Sequence, residues 1–583
     1  RQPNFALLLV AVWLFGLVQA VAGAWNLSGA KLIDGDDALR LLQVRDFLAG
    51  QAWFDLHQPR LGLSGYDSHW SRLIDAPLAG FVRFFGRFVD GNAAEALTTI
   101  IWPPLWLLPT MGGAAAIAWR IGGRAAAIVA LLLCVFSLPG VQQFAPGRID
   151  HHNVQIALAV LTIAATVWAD RVPWAAYAAG LVSALALAIG LEGLPFFALG
   201  AAAFGLRYVF EPTTATALRD YGISLAAGCT AAFLVSVGPE HWTRSVCDEI
   251  AINFAVAAVA GGAGLAAASR LADRRFAVRL AAVAGAGAVA LALFVLFEPR
   301  CLAGPYGLVD PGVAPILFAE VAEMQSLPGL LRGDIAAGVA TVAFPAAGLL
   351  AGLMLALGTR RNPDPAVWIA AAACLVACAV TFDAFRGYPY ALWLSVPLVA
   401  AAALDLCRRI GINGLLPRFA ALLLVTPVAI SLGAMSIAAA ATGSSHMFKD
   451  VTVDRRACVN KDSYTRLAQL PKGRVVANEL EWGSYLLLWT PHSVVGAPYH
   501  RLSEGIALTH RLFASPPDEA RKILARVRAD YLVACGPRGF AGMRDDQRAA
   551  SLWNALRAGK VPPWLKVVAG TEREPFTVYR VKR

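Results

Sequence analysis

Apolar residues fall in about thirteen long runs separated by short polar stretches. The runs cover roughly 5–25, 95–118, 125–141, 154–169, 174–191, 194–210, 220–237, 250–268, 280–297, 335–357, 366–382, 390–406 and 419–440. A helix needs about 20 such residues to cross the hydrocarbon core of a bilayer, so each run predicts a membrane helix or part of one. The run at the N-terminus is long enough to span and reads as a first membrane helix, not a cleaved signal. Pro103, Pro104 and Pro109 predict a kink in the second run. The basic residues between runs form a pattern of their own. Arg120 and Arg124 share one short loop; Arg171, Arg207 and Arg219 mark the next; Arg270, Arg274, Arg275 and Arg279 fill another. Arg360 with Arg361, and Arg408, Arg409 and Arg418, complete the set. If the thirteen helices alternate, all of these lie on one side, which the positive-inside rule makes cytoplasmic. The N-terminus is then inside and the C-terminal segment outside.

Three long segments fall on the outside in this reading: 27–92, 298–334 and the tail 441–583. A short one, 142–153, lies between the third and fourth runs. The pattern therefore divides the chain into a transmembrane part, 1–440, and a soluble tail, 441–583. The tail is polar and mixed in pattern. Branched and aromatic residues predict strands at 475–477, 485–489, 531–534 and 565–568. Apolar positions at helical spacing predict helices at 518–528 and 547–557. A length of about 140 residues suits one α/β domain.

Composition agrees with a polytopic membrane protein. The chain is 58% hydrophobic and only 15% charged, where a soluble protein carries about 25% charged residues. Mean hydropathy is +0.58. The net charge of +11 sits largely in the short loops, so it does not point to a nucleic-acid partner. The nine cysteines contain no CxxC pair and no metal-finger spacing. Cys247, Cys301, Cys458 and Cys535 fall outside, in an oxidising compartment. Cys458 with Cys535 is the pairing best placed to staple the tail, and Cys247 with Cys301 is the weaker one.

Against this apolar background a few charged residues stand out at the outer ends of the runs. Gly147-Arg148-Ile149-Asp150-His151-His152 is a polar island between two spans. Asp36 follows the first span, Glu320 and Glu323 lie in 298–334, and Arg386 ends the eleventh. Ionisable groups at a membrane boundary are costly to place and seldom idle. Carboxylates with one imidazole suit Mg²⁺ or Mn²⁺, the imidazole favouring Mn²⁺. The Arg386 guanidinium matches a phosphate. Each has a plainer alternative. Asp36 caps the helix after it; Glu320 is a solvated loop charge; Arg386 pairs with Asp383 or snorkels to headgroups. His69 and Arg72 read as structural, and Glu192 has no assigned role.

The arrangement resembles the catalytic subunits of oligosaccharyltransferases, multispanning GT-C glycosyltransferases with an extracytoplasmic tail. The resemblance rests on Asp36 with Asp37-Ala38-Leu39-Arg40, on Asp150-His151-His152, on Val321-Ala322-Glu323-Met324-Gln325, and on Phe385-Arg386. It covers roughly residues 5–440. It implies a multispanning α-helical GT-C fold and a divalent cation held by Asp36, Asp150, His152 and Glu323. It also implies catalytic roles for Asp36, Asp150 and Glu323, and a donor-phosphate contact from Arg386. The family's Trp-Trp-Asp-Tyr-Gly motif is missing. The nearest match is Leu480-Glu481-Trp482-Gly483-Ser484-Tyr485, which makes Trp482 the candidate for acceptor recognition. The expected activity is transfer of a sugar or glycan from a polyprenyl-phosphate or polyprenyl-diphosphate carrier. The expected acceptor is a glycan, lipid or protein, at the outer face of a bacterial inner membrane. Two alternatives remain at this point. One is a polyprenyl-monophosphate-sugar transferase acting on lipopolysaccharide or another envelope glycan. The other is a transporter or flippase, which would place its charges near the bilayer midplane.

Overall fold

The structure is a computed structural model that describes residues 4–25, 29–358, 364–443, 458–477, 480–535, 549–569 and 575–582. Helix α1 (Phe5–Ala24) leads to α2 (Gly35–Leu48), a small antiparallel hairpin of β1 (His57–Gln58) and β2 (Tyr66–Asp67), and α3 (Arg72–Phe85). There follow α4 (Gly91–Val135), the single turn α5 (Leu138–Val141), α6 (His152–Trp168), α7 (Ala175–Ile189) and α8 (Leu194–Phe210). Then come α9 (Ala215–Ser236), α10 (Ile252–Ala268) and α11 (Phe276–Phe297). The short α12 (Ala314–Glu320) and α13 (Leu327–Gly333) precede α14 (Ile335–Gly358), α15 (Pro365–Asp383), α16 (Tyr388–Arg409), α17 (Leu415–Leu424) and α18 (Pro427–Thr442).

All the apolar runs fall on helices. Among the described residues, seven helices are long and apolar enough to cross a membrane, and α17 with α18, bent by 53°, makes an eighth. Helices α6, α7 and α8 are apolar but shorter, and α9 carries Arg219 and Asp220 in its first turns. The second and third runs are joined in α4, whose backbone leaves helical geometry at Gly123 (φ 78°). Only glycine adopts that conformation without strain. Pro103, Pro104 and Pro109 sit within helical backbone, and the departure at Gly123 falls in the gap between the second and third apolar runs.

The loops sort to two ends. At one end, Arg120 of α4 meets Asp170, just after α6, at 2.6 Å and Asp364, just before α15, at 2.8 Å. Arg279 Nη2 donates to the Val209 carbonyl at 2.9 Å, joining two more basic loops there. His152 starts α6 at the opposite end.

The C-terminal sheet-containing domain has five strands in the order β4-β3-β5-β7-β6. These are β3 (Arg474–Ala477), β4 (Ser493–Val494), β5 (Tyr531–Cys535), β6 (Leu565–Val567) and β7 (Phe576–Val581). Strands β4, β3 and β5 are parallel, and β5–β7–β6 are antiparallel. The segment 485–489, expected as a strand, is instead part of the helix Trp482–Trp489. It holds leucines and aromatics but no β-branched residue, so nothing in it resists helix formation, and it packs against α2. Strands β4 and β7 were not anticipated. Both disulfides form, Cys458–Cys535 and Cys247–Cys301.

The tail docks on the loop 27–92. The Val494 amide donates to the Arg60 carbonyl at 2.7 Å, and the Gly62 amide to Val494 at 2.8 Å, which covers the β4 edge. The Arg60 guanidinium donates to the Leu487 and Thr490 carbonyls at 2.9 Å each. These belong to the C-terminal end of a helix, where carbonyls otherwise lack partners. Within the loop, buried Asp75 takes Arg40 at 2.7 Å and Arg72 at 3.0 Å, so Arg72 is structural, as its position suggested.

Candidate active site

The site begins with the way α2 starts. Asp34 caps the helix, accepting from the Asp36 and Asp37 amides, and Asp37 closes a reciprocal capping box. Asp36 is therefore not the cap. Its carboxyl is released from that duty and points elsewhere. Asp37 Oδ1 also accepts from the Ile149 amide at 2.7 Å and the Asp150 amide at 3.2 Å. This stitches the Asp-His-His turn to α2. Gly147 makes the approach possible: its φ is 106°, and a Cβ there would stand 3.2 Å from the Lys31 carbonyl oxygen. Arg148 sits among the acids, in an ion pair with Asp34 and 2.9 Å from Asp150 Oδ2.

Asp150 Oδ1 accepts from the His152 amide at 3.0 Å. Its Oδ2, the oxygen paired with Arg148, is buried and lies 3.9 Å from His152 Nε2. His152 is held from behind: its Nδ1 lies 3.0 Å from a Glu192 oxygen. Its Nε2 is buried without a hydrogen-bond partner and also lies 3.9 Å from Glu323 Oε2. One ligand atom each from Asp36, His152 and Glu323 falls within 4.8 Å of the others.

Glu323 and Arg386 are neighbours because their loops are bonded: the Phe385 amide donates to the Gln325 carbonyl at 2.9 Å. Arg386 Nη1 donates to the Tyr306 hydroxyl at 2.6 Å. Its Nη2 lies 3.3 Å from Glu323 and 3.7 Å from Glu192. Its Nε is buried without a partner. Asp383, the alternative partner, does not engage it. His152, Glu192, Glu323 and Arg386 face a cavity of about 230 Å³ whose walls include Ala340 of α14, Tyr390 of α16 and Ser431 of α18.

The electrostatics follow from the crowding. Burial, and then the carboxylates of Glu323 and Asp150, push the Asp36 carboxyl up to about 7. Burial also works against ionisation of Asp150 and Glu192, but it is outweighed. Arg148 and His152 hold Asp150 below the usual carboxylate range, and His152 and Arg386 hold Glu192 well below it. Three carboxylates thus surround one imidazole nitrogen that has no partner of its own. Oxygen donors with one nitrogen are the ligand set of a hard or borderline divalent cation, so the residues present fit such an ion.

The structure brings together Asp36, His152, Glu323 and Arg386, with Asp150 beside them and bound also to Arg148. It does not bring Trp482. That side chain is 1% exposed and packs on Phe576 and Tyr485. Ser484 and Tyr499 reach α2 instead: Tyr499 donates to the Gly35 carbonyl at 3.2 Å and lies 2.8 Å from Ser484 Oγ. The Glu320 side chain lies outside the described residues. Sequence reasoning assigned no part to Glu192, Tyr306, Tyr390, Asp37 or Arg148. A charge at a span end was the available signal for Glu192, and adjacency to Asp36 and Asp150 for Asp37 and Arg148. Nothing marked the tyrosines.

The helical spans, the polar site at one end and the sheet-containing tail make up a fold similar to that of solved GT-C glycosyltransferases. The solved structures it is similar to include the archaeal oligosaccharyltransferase AglB from Archaeoglobus fulgidus in complex with an inhibitory peptide and a dolichol-phosphate. That match has a TM-score of 0.65 at 12% identity and covers 90% of this chain and 69% of that one. The apo form of the same oligosaccharyltransferase matches with a TM-score of 0.67 at 13% identity, over 90% and 69% of the chains. A third structure of it, a complex with Zn and sulfate, gives 0.57 at 12% identity, over 90% and 68%. No protein-family model matches the chain, and no curated protein matches its sequence.

Proposed function

We propose that the protein is a membrane glycosyltransferase that moves a sugar or glycan from a polyprenyl-phosphate or polyprenyl-diphosphate carrier to an acceptor. One observation carries the reading. His152 Nε2, buried and unpartnered, faces carboxylates from three separate segments, with Arg386 and a cavity alongside. The fold shared with a dolichol-phosphate-bound protein supports it.

In this reading Asp36, Asp150, His152 and Glu323 hold a divalent cation, Mn²⁺ or Mg²⁺, which when bound neutralises charge developing on the leaving phosphate. Arg386 offers its guanidinium to a second phosphate oxygen, with Tyr306 fixing one end of the fork. The glycosidic bond from the sugar to phosphate oxygen breaks, and a bond from the sugar to the acceptor atom forms. The carrier phosphate leaves. The proton from the acceptor passes to a carboxylate oxygen of Asp36 or Glu323. The acceptor is a group on a glycan, lipid or protein. Without the Trp-Trp-Asp-Tyr-Gly motif, an Asn-x-Ser/Thr peptide is not the expected one. The site faces the periplasm and the Arg-rich end the cytoplasm, in keeping with the sorting of basic loops to one end.

The test is transfer from a polyprenyl-phosphate-linked sugar to envelope glycans, glycolipids or a sequon peptide, in membranes with and without excess chelator. Transfer to a glycan or glycolipid that stops in chelator and returns with Mn²⁺ or Mg²⁺ is expected. Full transfer in chelator overturns the cation; efficient glycosylation of the peptide Asn overturns the acceptor argument.

A further inference from the structure

Glu192 stands in the four-residue connection Gly190-Leu191-Glu192-Gly193 between α7 and α8. Only 13% of its side chain is exposed. A carboxylate is expensive to bury there unless it is bonded, and its bonds are specific. Its two oxygens lie 3.0 and 3.1 Å from His152 Nδ1. One of them accepts from the Tyr390 hydroxyl at 3.0 Å. The other lies 3.7 Å from Arg386 Nη2.

An ionised carboxylate only accepts hydrogen bonds, so the proton of a neutral His152 must sit on Nδ1. That choice leaves the Nε2 lone pair free. Nε2 is the nitrogen that is buried, unpartnered and 3.9 Å from both Asp150 and Glu323. Without Glu192, the ring would be free to turn over or to carry its proton on Nε2. In that form it would offer Asp150 or Glu323 a hydrogen bond and no lone pair.

The geometry points to Glu192 as the positioning residue of the cation site: it fixes the ring orientation and tautomer of His152, and Tyr390 fixes Glu192. This inference rests on the cation reading above. A carboxylate behind a ligating histidine is worth roughly 10–100-fold in metal affinity elsewhere. Glu192 touches no reacting atom, and its effect passes through His152. A rival account has Glu192 serve only Arg386, whose Nη2 is within ionic reach. That account predicts a change in donor KM with cation affinity untouched.

The experiment is Mn²⁺ binding to purified full-length protein in detergent, followed by the loss of the free-ion EPR signal. Spin-echo EPR reads the ¹⁴N modulation of a coordinated imidazole. His152→Ala, which lacks the modulation, is the control. Glu192→Ala should weaken Mn²⁺ affinity 10–100-fold and diminish the ¹⁴N modulation. Glu192→Gln, whose amide oxygen still accepts from Nδ1, should retain the modulation and lose less than tenfold. Thermal melting in chelator separates misfolding from loss of binding. If wild type binds no stoichiometric Mn²⁺, the cation reading fails first. If wild type binds and Glu192→Ala binds equally well with unchanged modulation, the positioning role is wrong. A donor KM effect alone would likewise overturn it in favour of the Arg386 account.

Discussion

Two clusters of carboxylate, imidazole and guanidinium groups lie among these loops, and they treat their polar atoms in opposite ways. In the first, Asp248 is saturated. Its Oδ2 accepts from His500 Nε2 and Arg501 Nε at 2.6 Å each, and its Oδ1 from Arg501 Nη2 at 2.7 Å. Arg501 spends its remaining reach on Glu249 at 2.8 Å and the Asp67 carbonyl at 3.2 Å. This cluster clamps the tail to the loop after α9, beside the Cys247–Cys301 disulfide. In the second, around His152, an imidazole nitrogen and an Arg386 nitrogen are buried without hydrogen bonds, and the Asp150 oxygen facing them is held only by its ion pair with Arg148. Buried polar atoms are usually paired, and exceptions call for an explanation. Ligand atoms of His69, Asp248 and His500 also fall within 4.8 Å of one another. Proximity alone therefore does not separate the clusters. What separates them is whether protein has already satisfied the atoms. The saturated cluster holds parts together, and the unsatisfied one is built to receive something.

The sharpest way to break this contrast is Asp150→Asn. The variant keeps the shape of the turn and removes one charge from the unsatisfied cluster. Transfer from a polyprenyl-phosphate-linked sugar should fall about 10²–10³-fold, the scale for losing one preorganised electrostatic contact. Immunoblots of membranes should show normal abundance. Unchanged transfer would leave the second cluster without a function.

Arg501→Met attacks the saturated cluster instead. It leaves buried Asp248 with His500 alone, and breaking a buried pair by removing one partner costs about 3–5 kcal/mol. A lower Tm with Mn²⁺ affinity preserved is expected from melting and EPR titration. Loss of Mn²⁺ binding at normal Tm would mean that the two clusters are one site.

Arg386→Lys is a milder probe. Lysine keeps the charge but not the planar fork. The geometry predicts roughly a tenfold rise in donor KM, about 1.4 kcal/mol, with Mn²⁺ affinity little changed. A donor titration decides it, and an unaltered KM would remove Arg386 from the phosphate.

How much of this was readable beforehand varies with the physics involved. Helices at the apolar runs were legible because a lipid-facing segment must be apolar and internally bonded. Asp36, Asp150, His152, Glu323 and Arg386 were legible as charges that an apolar neighbourhood makes conspicuous. The break at Gly123 was legible as the gap between the runs 95–118 and 125–141, and Pro103, Pro104 and Pro109 keep helical backbone before it. The helix Trp482–Trp489 was misread as a strand because a short apolar run has no decisive period, and contact with α2 decides it. Glu192 was visible, but its meaning was not. Its bond to His152 joins the α7–α8 turn to the start of α6, a contact only the packing of three helices creates. The His500–Arg501 clamp joins positions some 250 residues from Asp248, beyond any local pattern.

The smallest catalytic effect is expected from Trp482→Ala, which tests whether the tail belongs to the satisfied or the unsatisfied half of the molecule. The sequence made Trp482 a candidate acceptor contact. In the structure it is buried on Phe576 and Tyr485, next to Gly483, where an added Cβ would meet the Gly496 carbonyl oxygen. Replacing a buried Trp by Ala leaves a cavity worth about 3–5 kcal/mol, so the tail should melt earlier. The site itself should lose little, because the indole faces Phe576 and Tyr485 while the start of α2 is met by Glu481, Ser484 and Tyr499. Transfer per folded molecule, measured well below the lowered Tm, should therefore stay within about twofold of wild type. The same assay on Tyr499→Phe, which removes the hydroxyl that bonds the Gly35 carbonyl beside Asp36, should show the larger loss of the two. If Trp482→Ala instead abolishes transfer while donor binding and Tm hold, the indole does face the acceptor. The tail would then be part of the receiving surface and not only its support.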